Sequence, residues 1–483
     1  ILVPEIALTP QMVSWFRERF GPVAAVIHSR LSPGERFDEW RRIRRGDARV
    51  VIGARSAVFS PARDLGLIVV DEEHETTYFS DHHPRYDARE VAKARCDREN
   101  ATLILASATP SIQSFARARQ GEYMLLEMGQ RVQQRPMPQV SLVDMRQELE
   151  NGNRSVLSCL LQHKLKACVQ EGGQAMLLMN RRGYHSFVSC RACGYVVKCP
   201  HCDVSLHYHN DGTLLCHYCG YTIPLPDLCP ACQLPGLEII GYGTERIEDE
   251  IDVLFPGEKI SRMDLDTTRS KNSYDRIIDE FSSRRTNILV GTQMVTKGLD
   301  FDAVSIVGIL NADTMINFPD FRSHERAFDM LEQVSGRAGR AHKQGQVIIQ
   351  TSNPEHDVIK YVQAHDYEGF YQHELADREK FGYPPFTKVI NIYMKHREDT
   401  VVGELAVRFS GMLRQVFGTR VLGPMAPIIA RVQNLYIRQI TLKMETAASI
   451  SKVKVILRNL YEQMLAADAR MKTVRLYYDI DPV

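Results

Sequence analysis

The chain has 483 residues, of which 44% are hydrophobic and 25% charged, with a net charge of +1. That balance belongs to a folded globular protein of about three domains at ~100–200 residues each. Its longest apolar runs, such as Leu65–Val70, are too short for a bilayer, and the overall charge does not by itself mark a polyanion binder.

Ile1–Leu8 has no basic start and no cleavage pattern of a signal peptide. The eleven cysteines are therefore expected in a reducing cytosol, with no membrane attachment, as metal ligands or core residues and not as disulfides. Ile1–Ile6 reads as a buried strand that begins without Met, so a preceding segment is expected. Helical patterns at Pro10–Phe20, Pro33–Arg45 and Ala88–Arg98 alternate with continuous apolar strands at Val50–Ile52, Leu65–Val70 and Thr102–Ala106. This is the grammar of a parallel sheet covered on both faces. Arg36, Arg41, Arg42, Arg44, Arg45, Arg49 and Arg55 crowd one segment, as a solvated helix face or a phosphate-facing patch.

Arg131–Pro138 reads as a linker, after which strands recur at Ala175–Met179, Glu238–Gly241, Lys259–Met263, Asn287–Val290, Val304–Leu310 and Gln346–Gln350. The tail reads strand, helix, strand, helix, strand over Phe386–Met394, Val401–Val416, Tyr436–Met444, Ile450–Ala467 and Val474–Ile480, a split βαβ pattern. The expected organisation is a first α/β lobe at 1–135, a linker and second lobe start at 136–188, a cysteine-rich insertion at 189–234, the rest of the second lobe at 235–365 and an α+β domain at 366–483. Cys96, Cys159 and Cys168 lie singly in helical patterns and read as core residues.

Four Cys-x-x-Cys pairs dominate the insertion: Cys190/Cys193, Cys199/Cys202, Cys216/Cys219 and Cys229/Cys232. Eight thiols at this spacing make two tetrahedral zinc sites. Val204, Leu206 and Tyr208 alternate before Asn210-Asp211-Gly212, a hairpin turn. A hairpin brings its ends together, so Cys199, Cys202, Cys216 and Cys219 are expected to share one ion and Cys190, Cys193, Cys229 and Cys232 the other. His201 and His217 are alternative ligands within the turns. The module is expected to protrude from the second lobe.

The strand Leu65–Val70 ends in Asp71-Glu72-Glu73-His74. At the carboxyl end of a sheet strand, one carboxylate can hold Mg²⁺ while its neighbour orients water for attack on a γ-phosphate. The next strand ends in Ser107-Ala108-Thr109-Pro110, where Thr109 reads as an N-cap with Pro110 at the first helical position, or as a hydroxyl relay beside the acidic cluster. Gln333 precedes Val334-Ser-Gly-Arg-Ala-Gly-Arg340, and on helical backbone Arg337 and Arg340 point the same way, suited to phosphoryl charge. Thr292, Gln293 and Lys297 border a strand–loop–helix edge that can meet a nucleic-acid backbone, and Thr9, Arg55 and Ser56 open helices or turns that can hold phosphate. Tyr78, Phe79, Arg85 and Tyr86 offer planes for base stacking, or pack beneath their own loop.

Together, Leu2–Gln11, Gly53–Ser56, Asp71–His74, Ser107–Pro110, Asn180–Gly183, Gly291–Met294, Lys297-Gly298 and Gln333–Arg340 resemble the superfamily-two helicases, and within them the primosomal protein N′ family of replication-restart helicases. The eight-cysteine insertion, Tyr383–Phe386 and Leu422–Pro424 carry the resemblance to the end of the chain. It implies two RecA-like lobes and an ATP-dependent 3′→5′ DNA helicase that binds branched forks and single strands, meets single-strand-binding protein and reloads the replicative helicase as a monomer in the bacterial cytosol. It also implies nested zinc sites, Arg337 and Arg340 as arginine fingers, His74 coupling ATP to DNA, and Gln333, Gly298 and Asp300 bordering the nucleotide. No Gly-x-x-x-x-Gly-Lys-[Ser/Thr] occurs, and the tail strand Ala430–Arg438 has fewer basic residues than the family pattern. The expectation is therefore a C-terminal part of a longer protein, feeble or inactive as an ATPase alone. A zinc-bearing DNA-binding scaffold with a decayed motor, or an RNA helicase, are the alternatives.

Overall fold

The computed structural model describes residues 1–4, 10–28, 31–80, 84–129, 136–179, 187–190, 192–209, 212–240, 250–251, 253–256, 259–263, 271–292, 301, 303–339 and 344–481. In the first lobe, β1 (Ala24–Ile27) pairs in parallel with β2 (Val50–Gly53), and β3 (Leu67–Val70) with β4 (Thr102–Leu105). The chain start joins the two halves. Leu2 donates its amide to Val69 at 2.7 Å and Val3 to Gly53 at 3.0 Å, so Ile1–Val3 lies between β2 and β3. Helices α1 (Pro10–Phe20), α2 (Pro33–Arg45) and α3 (Ala88–Glu99) flank these strands. A reciprocal Ser32–Glu35 capping box starts α2, and Gly46 in the left-handed region ends it. β1 was not foreseen: Ala24–Ile27 is short and its alanines carry little hydrophobic signal.

Gly53 has a packing reason. A Cβ there would lie 2.3 Å from the Ile27 carbonyl oxygen and 2.6 Å from Ala57 Cβ, so only glycine lets β1 and the following turn close.

The second lobe is a six-stranded parallel sheet in the order β12 (Ile260–Met263), β13 (Ile288–Gly291), β6 (Gln174–Leu178), β14 (Val304–Ile309), β15 (Gln346–Thr351) and β5 (Gln139–Asp144). Every described residue of β6 and β13 is buried, as in a sheet covered by helices on both faces. β5 was missed because Gln139, Ser141 and Asp144 break its apolar run, the mark of an edge strand. Before helix α4 (Ile112–Arg119) the N-cap is Ser111, whose hydroxyl accepts the Ser114 amide at 3.2 Å. The expectation for Thr109 is corrected by this: the helix starts two residues later than the Pro110 signal suggests.

The cysteine module forms an antiparallel sheet, β10 (Thr222–Pro224), β9 (Thr213–Leu215), β8 (His207–Tyr208), β7 (Phe187–Cys190) and β11 (Leu237–Ile240). β11 covers most of the strand expected in the second lobe. It pairs instead with β7, in the register Leu237↔Cys190 to Ile240↔Phe187, so the cysteine sheet extends beyond 189–234 on both sides. The apolar run alone could not say which sheet it completes.

The tail has four antiparallel strands in the order β17 (Val421–Met425), β19 (Leu435–Glu445), β16 (Thr387–His396), β20 (Arg475–Ile480), with β18 (Arg431–Val432) paired to β19. Helices Asp399–Phe417 and Ile450–Ala467 bury one apolar stripe each against this sheet, giving the split βαβ fold and a core of its own. Cys96 and Cys168 are buried as expected; Cys159, at a helix start, is exposed. Among the described residues no helix is long and apolar enough to cross a membrane.

Candidate nucleotide site and metal centres

β3 delivers Asp71 and Glu72 at its carboxyl end. Asp71 Oδ1 accepts the Glu72 amide at 3.0 Å, with Glu72 at φ 47°, a turn that holds both carboxyls at the sheet edge. Burial raises both carboxyls above their ordinary values, and for Glu72 the positive charges of His74 and Arg337 pull the other way. Two partly buried carboxylates short of positive charge are a hard oxygen donor pair of the kind that suits Mg²⁺.

Glu73 points elsewhere and is structural. Its carboxylate accepts the Ser111 amide at 2.6 Å and the Ser114 hydroxyl at 2.8 Å, anchoring the start of α4. His74 lies between the acids and the Ser107–Thr109 turn. Its Nδ1 is 2.7 Å from Ser107 Oγ and 3.7 Å from Glu72, and its Nε2 is 3.8 Å from Glu75. Ser107 Oγ in turn accepts the Thr109 amide at 3.0 Å. A line of contacts therefore runs from Glu72 through His74 and Ser107 to the Thr109 amide. The Asp329 carboxyl is raised by burial and by Glu325. Asp329 belongs to α5 (Ser323–Ser335), which also carries half-buried Gln333.

That helix stops at Ser335, with Gly336 as its C-cap, so Arg337 lies in the following turn and not on a helix face. The helical three-residue argument for Arg337 and Arg340 does not hold on this backbone. Arg340 lies outside the described residues, as do Thr9, Gln293, Lys297, Gly298, Asp300 and Asn180–Gly183. Thr292 is described; it is nearly buried, and its amide reaches the Met263 carbonyl at 3.3 Å.

The aromatic loop is largely inward. Tyr78 is fully buried, and its hydroxyl donates to the carbonyls of Asp71 at 2.6 Å and Leu2 at 3.0 Å, which removes it as a base-stacking platform. Arg55 donates to the carbonyls of Thr77 and Phe79, so it pins the loop. Tyr86 packs edge-on to Phe59, with centroids 4.9 Å apart. Arg85 lies 4.1 Å over the Tyr477 ring and 3.8 Å from Asp479, tying the loop to the tail domain. Phe79 is half-buried and Ser56 exposed. Patterning could not separate these roles, because rings that hold a loop and rings that meet a base have the same composition. On α2 the basic cluster is partly spent: Arg42 binds Glu39 at 2.8 Å and the Pro22 carbonyl at 2.6 Å, while Arg41 and Arg44 cover Phe37 and Trp40.

The eight thiols separate into two sets: Cys190, Cys193, Cys229 and Cys232, and Cys199, Cys202, Cys216 and Cys219. Sulfur–sulfur distances of 3.7 Å (Cys190–Cys232), 3.6 Å (Cys193–Cys229) and 3.5 Å (Cys199–Cys219) are close to the ~3.8 Å edge of a tetrahedron with Zn–S bonds of about 2.3 Å. All four turns share one backbone pattern. The first cysteine accepts an amide four residues on, from Gly194, Asp203, Gly220 and Gln233, and each of these has positive φ. The amide of that cysteine donates five residues on. Such turns aim both sulfurs at one point, and two zinc ions fit the two sets.

The module does not protrude. Gly194 abuts the second lobe, where a Cβ would lie 2.6 Å from the Ser352 carbonyl oxygen, and φ there is +74°. The Tyr383 hydroxyl donates to the Cys202 carbonyl at 3.2 Å, and the Tyr383 ring stacks on Phe321 with centroids 4.4 Å apart. Tyr218 meets both rings edge-on.

Behind the cleft lies a buried ion network that the sequence did not reveal. Glu325 of α5 accepts the Ile112 amide at 2.8 Å and Arg378 at 2.7 Å, and Arg378 also binds Glu374 at 2.9 Å. Glu374 and Arg378 sit on α6 (Tyr367–Phe381), whose Tyr367 hydroxyl reaches the Pro110 carbonyl at 2.6 Å. Charged residues scattered through helical patterns look like solvated faces, so nothing in the sequence set these apart.

Two lobes of this kind with an acidic strand end between them define a helicase-type core carrying a two-zinc ribbon. The family model described as DEAD/DEAH box helicase matches residues 1–118, Helicase conserved C-terminal domain 239–342, PriA DNA helicase Cys-rich region (CRR) domain 199–224, and Primosomal protein N C-terminal domain 379–483. Replication restart protein PriA of Bacillus subtilis is 46% identical over 100% of this chain and 60% of that protein. Its counterpart in Synechocystis is 44% identical over 95% of this chain and 56% of that protein. The one in Treponema pallidum is 39% identical over 100% of this chain and 72% of that protein. The chain belongs to the replication restart protein PriA family. It spans less than two thirds of the first two of these relatives.

Proposed function

We propose that the chain supplies the motor lobes, zinc module and tail domain of an ATP-dependent 3′→5′ DNA helicase that recognises stalled or branched forks and initiates primosome assembly. The observation that carries this reading is the pair of partly buried carboxyls, Asp71 and Glu72, held at the carboxyl end of β3 beside His74. Asp71 would hold Mg²⁺, which when bound neutralises phosphate charge. Glu72 would orient the attacking water, and Arg337 would meet the charge on the transferring phosphoryl group. His74 and Ser107 would transmit closure of the cleft toward the DNA-facing edge of the first lobe. Single-stranded and branched DNA, single-strand-binding protein and helicase-loading proteins are the partners that the family membership supports, in a bacterial cytosol.

A duplex-unwinding assay on the full-length protein tests the reading, with forked DNA and matched RNA substrates and Asp71→Ala as control. Unwinding of DNA that is lost in the control is the expected result. RNA unwinding of equal rate would point to an RNA helicase, and fork binding without unwinding to a scaffold.

A further inference from the structure

Besides its eight thiols, the cysteine module gathers a second set of metal-ligating side chains. His207 lies in β8 and His209 directly after it, its amide still bonded across to the Thr213 carbonyl at 2.9 Å, so the two histidines, two residues apart, share one face. His217 follows β9, whose Leu215 is the cross-strand partner of His207. One ring nitrogen from each of the three histidines lies within 4.8 Å of the other two. The ring centroids are 5.0, 5.2 and 5.3 Å apart.

Two further observations point to a ligand. His209 Nε2 is buried with no hydrogen-bond partner, which is costly for an imidazole unless something occupies the lone pair. His217 Nδ1 lies 2.7 Å from the Ala426 carbonyl oxygen, which can only accept. Nδ1 therefore carries the proton and Nε2 presents its lone pair, the arrangement that orients a ligating histidine. His201, the other histidine of these turns, is exposed and pairs with Tyr221.

We propose that His207, His209 and His217 form a third metal site, separate from the two thiolate sites, that takes a divalent first-row transition ion such as Zn²⁺ through three imidazole nitrogens. Three nitrogen donors without sulfur suit Zn²⁺, Ni²⁺, Co²⁺ or Cu²⁺, and three protein ligands leave a fourth position open. Ala426 lies in the tail domain, so the ion would also fix the contact between the zinc module and that domain.

The test is metal content of the untagged protein, equilibrated in buffered free Zn²⁺, for wild type and His209→Ala. Three equivalents per chain in wild type and two in the variant are expected. In cobalt-substituted protein, the thiolate-to-cobalt charge-transfer absorption should be the same in both, showing that the cysteine sites and the fold survive. If His209→Ala loses that absorption as well, His209→Gln replaces it and is read in the same way. Two equivalents in wild type, or three in wild type and variant alike, would overturn the proposal.

Discussion

Glu325 and Arg378 form a buried ion pair at 2.7 Å, and the other Glu325 oxygen receives the amide of Ile112 from a helix that follows the first lobe. One carboxylate thus joins α4, the second-lobe helix that leads into Arg337 and the helix leading to the tail. Removing one member of a buried pair leaves an uncompensated charge. Arg378→Ala would remove the guanidinium that Glu325 and Glu374 share, leaving them only the Ile112 amide and the His324 ring at 3.5 Å. Its expected cost is about 3–5 kcal/mol, visible as a fall in the urea midpoint, with lost coupling between ATP and DNA binding in the full-length protein.

The cleft chemistry predicts a sharper loss without instability. Glu72→Gln keeps the shape of the side chain and removes its charge, and Arg337→Ala removes the cation proposed to meet the phosphoryl group. Each should lower DNA-stimulated ATP turnover of the full-length protein by about 10³-fold or more while leaving the denaturation midpoint within ~0.5 kcal/mol of wild type. Near-normal turnover in Arg337→Ala would remove it from the finger role.

The 483 residues contain no phosphate-cradling Gly-x-x-x-x-Gly-Lys-[Ser/Thr] sequence. Expressed by themselves, they should show DNA-stimulated ATPase activity at or near background. Turnover at the rate of the full-length protein in a phosphate-release assay would contradict this.

Zinc stoichiometry tests the nested pairing. Cys190→Ser combined with Cys229→Ser should cost one thiolate-bound ion, and Cys199→Ser combined with Cys216→Ser the other. Because Tyr383 binds the Cys202 carbonyl, the second pair should also loosen the tail domain, read as faster hydrogen exchange around Tyr383. Loss of both thiolate-bound ions in either variant would reject independent sites.

His356 gives a pH signature. Burial first, then the nearby charges of His324, Lys198, His373 and Lys360, lowers it from 6.5 to about 3, and its Nδ1 accepts the Val358 amide at 3.3 Å as an N-cap. A depressed folded value means that its stability contribution is complete above pH 6.5 and is lost as pH falls toward 3. Each unit in that window costs up to about 1.4 kcal/mol. His356→Asn keeps a capping acceptor without a titrating ring. Its melting temperature should fall less than that of wild type between pH 7 and 5.

Features written in contiguous residues were legible: the cysteine turns and their pairing, the place of Asp71–His74 at a strand end, and the alternation of strand and helix. What escaped depended on distant partners. Tyr78 and Arg55 carry base-binding residue types, yet they are committed to the backbone of Leu2, Asp71, Thr77 and Phe79. Leu237–Ile240 has the apolar run of a lobe strand, but its register with Phe187–Cys190 places it elsewhere. Glu325, Glu374 and Arg378 become a clamp only when three helices converge.

The rings of Tyr218, Phe321 and Tyr383 meet at one point, with Lys443 3.8 Å above the last of them. Each ring comes from a different domain and a different stretch of chain. A larger or smaller side chain at any one position leaves a clash or a void that only the other two can relieve. Among related proteins these three positions should therefore drift together, and a chimera that exchanges only the cysteine module should carry a penalty at this junction even when its zinc ligands are intact.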